Sequence, residues 1–330
     1  MKDWFRSIIA LGRQEMDKPD TLPSTPAAPE THRLFHGAMS VIAIAVAAFS
    51  VLALPANKII VIWPPLLLKA ALLALLLAGT LFYRWRRVTR LQNLIIMAFW
   101  AIAVSSLYVF PMYMAARQPA ELCDAPLARA DAAIGIVVPD VLEFAARFPL
   151  AQRWLGIAYD ALILLVALAI MLPPLFGRMD LAKTYALSCV IAAMISIPML
   201  AVVPAIGPWE TYGFAPDGPQ RQYAEVLVAL RSDEWLTLDP MKADGLITFP
   251  SFHAILAVLA AAALWFVKYL RWLAAALAVL IVISTLTTGW HYLVDVWAGL
   301  LLAWLAWLAA RALVFLEMRS GSRHGSNNLH

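Results

Sequence analysis

His253–His291 reads HAILAVLAAAALWFVKYLRWLAAALAVLIVISTLTTGWH. It holds two apolar runs separated by a short turn carrying Lys268 and Arg271. Crossing the hydrocarbon core as a helix takes about 20 consecutive apolar residues. The stretch therefore predicts one helix down into a membrane, a tight basic turn, and one helix back. An antiparallel pair of that kind returns His291 to the level of His253.

The surrounding chain supports the same reading. Its 330 residues are 63% hydrophobic and 14% charged, with a mean hydropathy of +0.77, far from the balance of a soluble domain. Eight apolar runs are expected to span, near residues 36–54, 64–83, 93–113, 155–175, 184–203, 252–267, 272–288 and 292–316. The expected fold is an all-α polytopic membrane helical bundle of about eight transmembrane helices. Residues 1–35 lack the basic stub and apolar core of a secretory signal and are expected to form a cytoplasmic tail. Its opening, DWFRSIIALGRQEM, has weak helical amphipathicity suited to a membrane surface, against the plainer reading of a solvated tail. Residues 36–113 form the N-terminal transmembrane helices, 114–154 an extracytoplasmic interfacial or re-entrant segment, 155–316 the C-terminal transmembrane domain, and 317–330 a cytoplasmic tail. Cys123 and Cys189 suit neither a disulfide framework nor a thiolate metal cluster.

Orientation follows the Lys/Arg excess of short cytoplasmic loops. The turn RWRRVTR holds Arg84, Arg86, Arg87 and Arg90 with no acid; Arg178 and Lys183 face Asp180 in a later turn; Lys268 and Arg271, then Arg319 and Arg323, complete one side. By contrast, residues 114–154 mix four arginines with five acids, and 204–250 set seven acids against Arg221, Arg231 and Lys242. These long segments are expected outside and both termini inside, which agrees with an even number of spans. The short Pro55–Trp63 connection, with its single Lys58, is undecided.

Ionisable groups near membrane spans are costly, about 2.5–3.5 kcal/mol for Asp at a helix centre on insertion scales, and are functional candidates by default. Three lie at the expected outer face. His253, in FPSFH, sits at a helix start where Pro250 and Ser251 are good opening residues, and the free N–H groups and helix dipole there suit an anion. His291 and Asp295, in HYLVD, stand four apart, so on a helix they share a face. A carboxylate on one imidazole nitrogen fixes the tautomer and leaves the other free to attack or accept a proton. For His253 alone, packing or capping would suffice; three such groups at one depth favour a site.

The residues PSFH, followed by Ser284–Thr285–x5–HYLVD, resemble the second and third signature motifs of the type 2 phosphatidic acid phosphatase (PAP2) superfamily. Those patterns are Pro-Ser-Gly-His and Ser-Arg-x5-His-x3-Asp. The closer likeness is to the inositolphosphotransferase, inositol phosphorylceramide synthase-like branch, through Phe-Pro-Ser-x-His, His-Tyr-x-x-Asp and the Pro-rich turn VPAIGPW at Val203–Trp209. It covers Leu181–Leu316 and, more loosely, DAPLARADAAIG at residues 124–135. The resemblance implies a six-helix catalytic core within 155–316, no cofactor and no metal. It implies that His291 attacks phosphorus to give a phosphohistidine, that Asp295 orients it, and that His253 protonates the leaving oxygen and later activates the acceptor. Ser251 and Ser284 would hold phosphate oxygens. The chain departs from the family in lacking a Lys-x6-Arg-Pro first motif and in having Thr285 for the third-motif arginine and Phe252 for glycine. Of the cations near the site in sequence, Arg231 is the expected replacement, set against the reading of an exposed loop arginine.

The expected partners are a membrane phospholipid or lipid phosphate and an alcohol or water acceptor, with no nucleic acid. Two rival readings use the same residues. A membrane metal enzyme could use His-x3-Asp as a ligand pair, but only two of six histidines were expected in the membrane region. A transporter or flippase could use His253, His291 and Asp295 as a proton relay, but the two halves share no motif of the kind inverted repeats leave.

Overall fold

The computed structural model of the chain describes residues 33–327, with side chains over 34–319; the surface-helix reading of residues 3–16 lies outside them. In chain order the elements are α1 (Arg33–Ala56), β1 (Ile59–Val61), α2 (Trp63–Trp85), α3 (Thr89–Ala116), α4 (Asp124–Ala133), α5 (Val138–Ala146), α6 (Pro149–Asp160) and α7 (Leu162–Leu175). They continue with α8 (Met179–Val202), α9 (Pro208–Tyr212), α10 (Gly218–Arg231), β2 (Leu236–Leu238), α11 (Phe252–Ala263), α12 (Leu270–Thr287) and α13 (Leu293–Asn327). The architecture is an all-α polytopic bundle.

All eight expected apolar runs are helical, but they do not all make full spans. Among the described residues six helices are long and apolar enough to cross a membrane: α1, α2, α3, α8, α12 and α13. The run near 155–175 is a broken pair, α6 and α7, bent by 40°; counted as one span it makes seven. The run near 252–267 contains only the 12-residue α11. At 1.5 Å per residue it rises roughly 18 Å, short of the ~30 Å hydrocarbon core. It stops early because Leu264–Tyr269 turn the chain while remaining mostly apolar, so hydropathy alone could not mark the end.

The hairpin itself forms as expected. Alanines 254, 257, 260, 261 and 263 are buried along α11, and these small residues let it pack against α7, α8, α12 and α13. A close backbone approach occurs at Gly299 of α13. A Cβ there would stand 2.6 Å from the Ser251 carbonyl oxygen, so glycine is what lets the turn before α11 lie on α13.

The two ends of the bundle are fixed differently. At the end bearing His253 and His291, β1 pairs in parallel with β2 in the register Ile59↔Leu236, and Lys58 bonds Asp233 at 2.5 Å. The connection that was undecided from its charge therefore shares an end with residues 204–250. Residues 117–120 and 231–234 clasp each other: Arg117 donates to the carbonyls of Ser232 and Glu234, and Arg231 to those of Gln118 and Ala120. At the opposite end Lys183, expected in a loop, lies inside α8. It is buried against Glu317 of α13 at 2.8 Å, whose other oxygen accepts from the Phe35 amide at 2.9 Å. That contact holds the start of α1 beside the far end of α13. His36 lies in the spanning helix α1, far in sequence from His253 and His291; its Nδ1 accepts from Trp100 at 2.8 Å.

Two stability tests follow from these contacts. Gly299→Ala overpacks a backbone contact and is expected to destabilise by about 1–3 kcal/mol, seen as a lower thermal midpoint in detergent, while Leu301→Ala on the exposed face leaves the midpoint unchanged. Glu317→Leu removes the carboxylate shared by Lys183 and the Phe35 amide and is expected to lower the midpoint, by up to about 3–5 kcal/mol of stability, part of which Lys183→Met recovers in the double variant.

Candidate active site

Two short chain segments build the site, one entering α11 and one entering α13. In the first, Ser251 is the N-cap of α11, and its Oγ accepts from the Ala254 amide at 3.4 Å. Thr248 is fixed before it, sharing the Tyr223 hydroxyl at 2.9 Å and donating to the Ala205 carbonyl at 3.0 Å. The Ser251 amide donates to the backbone carbonyl of Asp295 at 2.9 Å. One hydrogen bond thus joins the segment carrying His253 to the residue that faces His291.

The second segment differs from the sequence expectation in one respect. His291 and Asp295 were placed on a common helix face, but α13 begins at Leu293, and His291 stands just outside it. Gly289, at φ +76°, ends α12 in the left-handed region that glycine adopts at low cost, and the His291 amide bonds back to Thr285 at 3.2 Å. The pair still meets: His291 Nδ1 lies 3.5 Å from Asp295 Oδ2. The same carboxylate oxygen accepts from the Tyr292 amide at 2.9 Å, which folds the chain so that residue 291 comes back over residue 295.

The two imidazoles face each other with centroids 6.1 Å apart at 60°. His253 also stacks on Tyr159 of α6, at 4.7 Å and 20°. His291 and Asp295 are buried, His253 is half-buried, and the Thr248 backbone lies within hydrogen-bonding reach of the His291 ring. Among the described residues His291 Nδ1 and Asp295 Oδ1 are buried without a hydrogen-bond partner. Asp295 Oδ2 thus lies beside Nδ1 of one ring without a hydrogen bond to it, and the second ring lies across from the first. Phe252, where the family pattern has glycine, stacks on Tyr108 of α3 at 5.6 Å.

The other candidates are differently engaged. Ser284 is buried in α12 and donates to the Ile281 carbonyl at 2.6 Å; Thr285 does likewise to Val282 at 2.7 Å. Arg231 is held by the carbonyls of Gln118 and Ala120. No hydrogen bond from the Ser284 or Arg231 side chain to either site histidine is found among the described residues. Nor do three His, Cys, Asp or Glu side chains group there as a metal would require.

Sequence reasoning singled out neither Tyr159 nor the two aspartates of α4. Asp124 and Asp131 are seven residues apart, on one helix face, and both are buried. Asp124 accepts from the Ile206 and Gly207 amides at 2.9 and 2.7 Å and from the Tyr292 hydroxyl at 3.2 Å. Asp131 accepts from the Leu293 and Val294 amides at 2.7 and 2.9 Å. Burial pushes both carboxyls up, and these amides pull them back. The signal available was the i, i+7 spacing of two acids on one short helix.

With this geometry in hand, comparison with known proteins adds one positive finding. No curated protein and no solved structure matches the chain. A family model described as the PAP2 superfamily matches residues 125–309, more than half of the 330 residues and inclusive of both histidine segments. The chain belongs to the PAP2 superfamily.

Proposed function

We propose that the protein is a lipid-phosphate phosphatase or phosphotransferase working through a phosphohistidine on His291. The observation that carries this reading is the facing pair of imidazoles, one with a carboxylate at Nδ1, inside the segment matched to a phosphatase-type superfamily.

Asp295 holds Nδ1 so that Nε2 presents its lone pair to phosphorus. The Nε2–P bond forms as the bond from phosphorus to the leaving oxygen breaks, and His253 supplies the proton that oxygen needs. In the second half, His253 takes a proton from water or an alcohol, whose oxygen displaces His291 and regenerates the enzyme. Phosphoryl transfer depends mainly on positioning and on neutralising oxygens. Ser251 and the first-turn amides of α11, which have no intrahelical partners, are suited to hold those oxygens at the positive end of the helix dipole. Arg231 already donates to the carbonyls of Gln118 and Ala120, and Ser284 to that of Ile281, so neither is needed for the phosphate in this reading.

Both water and an alcohol fit the second half. The likeness of Phe-Pro-Ser-x-His, HYLVD and VPAIGPW to the inositolphosphotransferase branch supports transfer to a polyol. The loop charges support a membrane location with the site on the extracytoplasmic face and both termini inside, and the family resemblance supports catalysis without a metal.

Reconstitution with a panel of radiolabelled phospholipids, with and without inositol, tests the reading. Label is expected to leave the lipid as free phosphate or to pass to the polyol. His253→Ala is expected to slow turnover about 10²–10⁴-fold, the range of a positioned acid or base, and His291→Ala to reduce it to background. Variants that turn over like the wild type, or lipid movement across the membrane with no phosphate released or transferred, would overturn the proposal.

A further inference from the structure

Among the described residues helix α4 makes no hydrogen bond to either histidine, yet both of its buried carboxylates accept from the backbone around them. The first turn of α13 has amides without intrahelical partners, and its positive dipole end favours an anion. The anion it meets is Asp131, whose two oxygens take the Leu293 and Val294 amides separately. Two turns earlier, Asp124 does the same for Ile206 and Gly207, and also accepts from the hydroxyl of Tyr292, the residue after His291. Thr211 shares that hydroxyl at 3.0 Å. Charge-assisted bonds of this kind are short and directional. All the acceptors sit on one rigid ten-residue helix, so they fix the amides relative to one another.

We infer that Asp131 and Asp124 are positioning residues for phosphoryl transfer, holding from α4 the backbone on which His291 and Asp295 stand. His291 lies outside regular helix, between Gly289 and Leu293, and its place is defined by what grips its neighbours. Asp131 grips the two residues that open α13, and Asp124 grips Tyr292 between them and His291. The same contacts have an electrostatic consequence. The amides of Leu293 and Val294 are taken by Asp131, and that of Tyr292 by Asp295, so the start of α13 presents its charge to carboxylates already in place. The substrate phosphate is then left to the start of α11. Misplacement of a reacting group by about 1 Å can cost ~10²-fold in rate, so the brace controls turnover without touching substrate.

The kinetic half of this inference rests on the proposed phosphoryl transfer; the structural half does not. Asp131→Asn preserves shape but turns one acceptor oxygen into a donor facing an amide N–H. In the full-length protein in detergent micelles, hydrogen exchange of the peptide containing Leu293 and Val294 is expected to accelerate at least about tenfold. With phosphatidic acid as probe, kcat is expected to fall about 10- to 100-fold while KM stays within about twofold, and Asp131→Glu, which keeps both acceptor oxygens, recovers part of the loss. Unchanged exchange, unchanged kcat, or a raised KM with kcat preserved would each overturn the inference. Should Asp131→Asn not fold, Asp124→Asn is read in the same way through the Ile206, Gly207 and His291 peptides; failure of both to fold would reject a positioning role in favour of a purely structural one. If the wild type turns over no phosphorylated lipid, the proposed function has failed, and the exchange measurement alone decides whether the brace exists.

Discussion

The hydrogen bond from the Ser251 amide to the Asp295 carbonyl, 2.9 Å long, ties the two halves of the site together. It is possible only because Gly299 lets α13 lie against the turn that opens α11; a Cβ at that position would meet the Ser251 carbonyl. With that contact made, the hairpin of α11 and α12 brings His253 and His291 across from each other. The rest of that end of the bundle then serves to hold the two segments: Tyr223 and Thr248 before Ser251, and Asp124 and Asp131 around Tyr292 and α13.

The site uses its polar groups in layers. One oxygen of Asp295 accepts from the Tyr292 amide and lies 3.5 Å from His291 Nδ1, so one carboxylate shapes the backbone and sits beside the imidazole. Beyond it, Asp124 and Asp131 bind backbone amides and carry charge into a buried region. A buried carboxylate is costly unless well hydrogen-bonded, and each of these has at least two donors. At the far end of α13 the same economy appears in Glu317, which meets both Lys183 and the Phe35 amide. One long helix is thus anchored by acids at its two ends.

Much of this was legible in the chain. Apolar runs near 20 residues located the helices because length and hydropathy are local properties. FPSFH and HYLVD located the histidines because a proton-transfer or nucleophilic pair needs those residue types near helix openings. The shortness of α11 was hidden, since Leu264, Trp265, Phe266 and Val267 are as apolar as a helix interior and turn all the same. The bend between Asp160 and Leu162 was hidden for a similar reason. The His291–Asp295 contact was foreseen but not its means, because spacing of four suggests a helix face whereas the chain achieves it by a turn. The brace was out of reach: Asp131 and Leu293 are separated by 162 positions, and nothing local to DAPLARAD indicates which distant amides its acids will meet. Arg231 shows the converse, a cation chosen for nearness in sequence that the fold commits to the carbonyls of residues 118 and 120.

The central claim is that phosphorus passes through His291. Its most direct measurement is rapid acid-free quenching of the reconstituted protein during turnover of ³²P-labelled phosphatidic acid, followed by peptide mapping of the label. The account predicts an acid-labile, base-stable phosphate on the peptide containing His291. No covalent label during turnover, or label on any other residue, would contradict it.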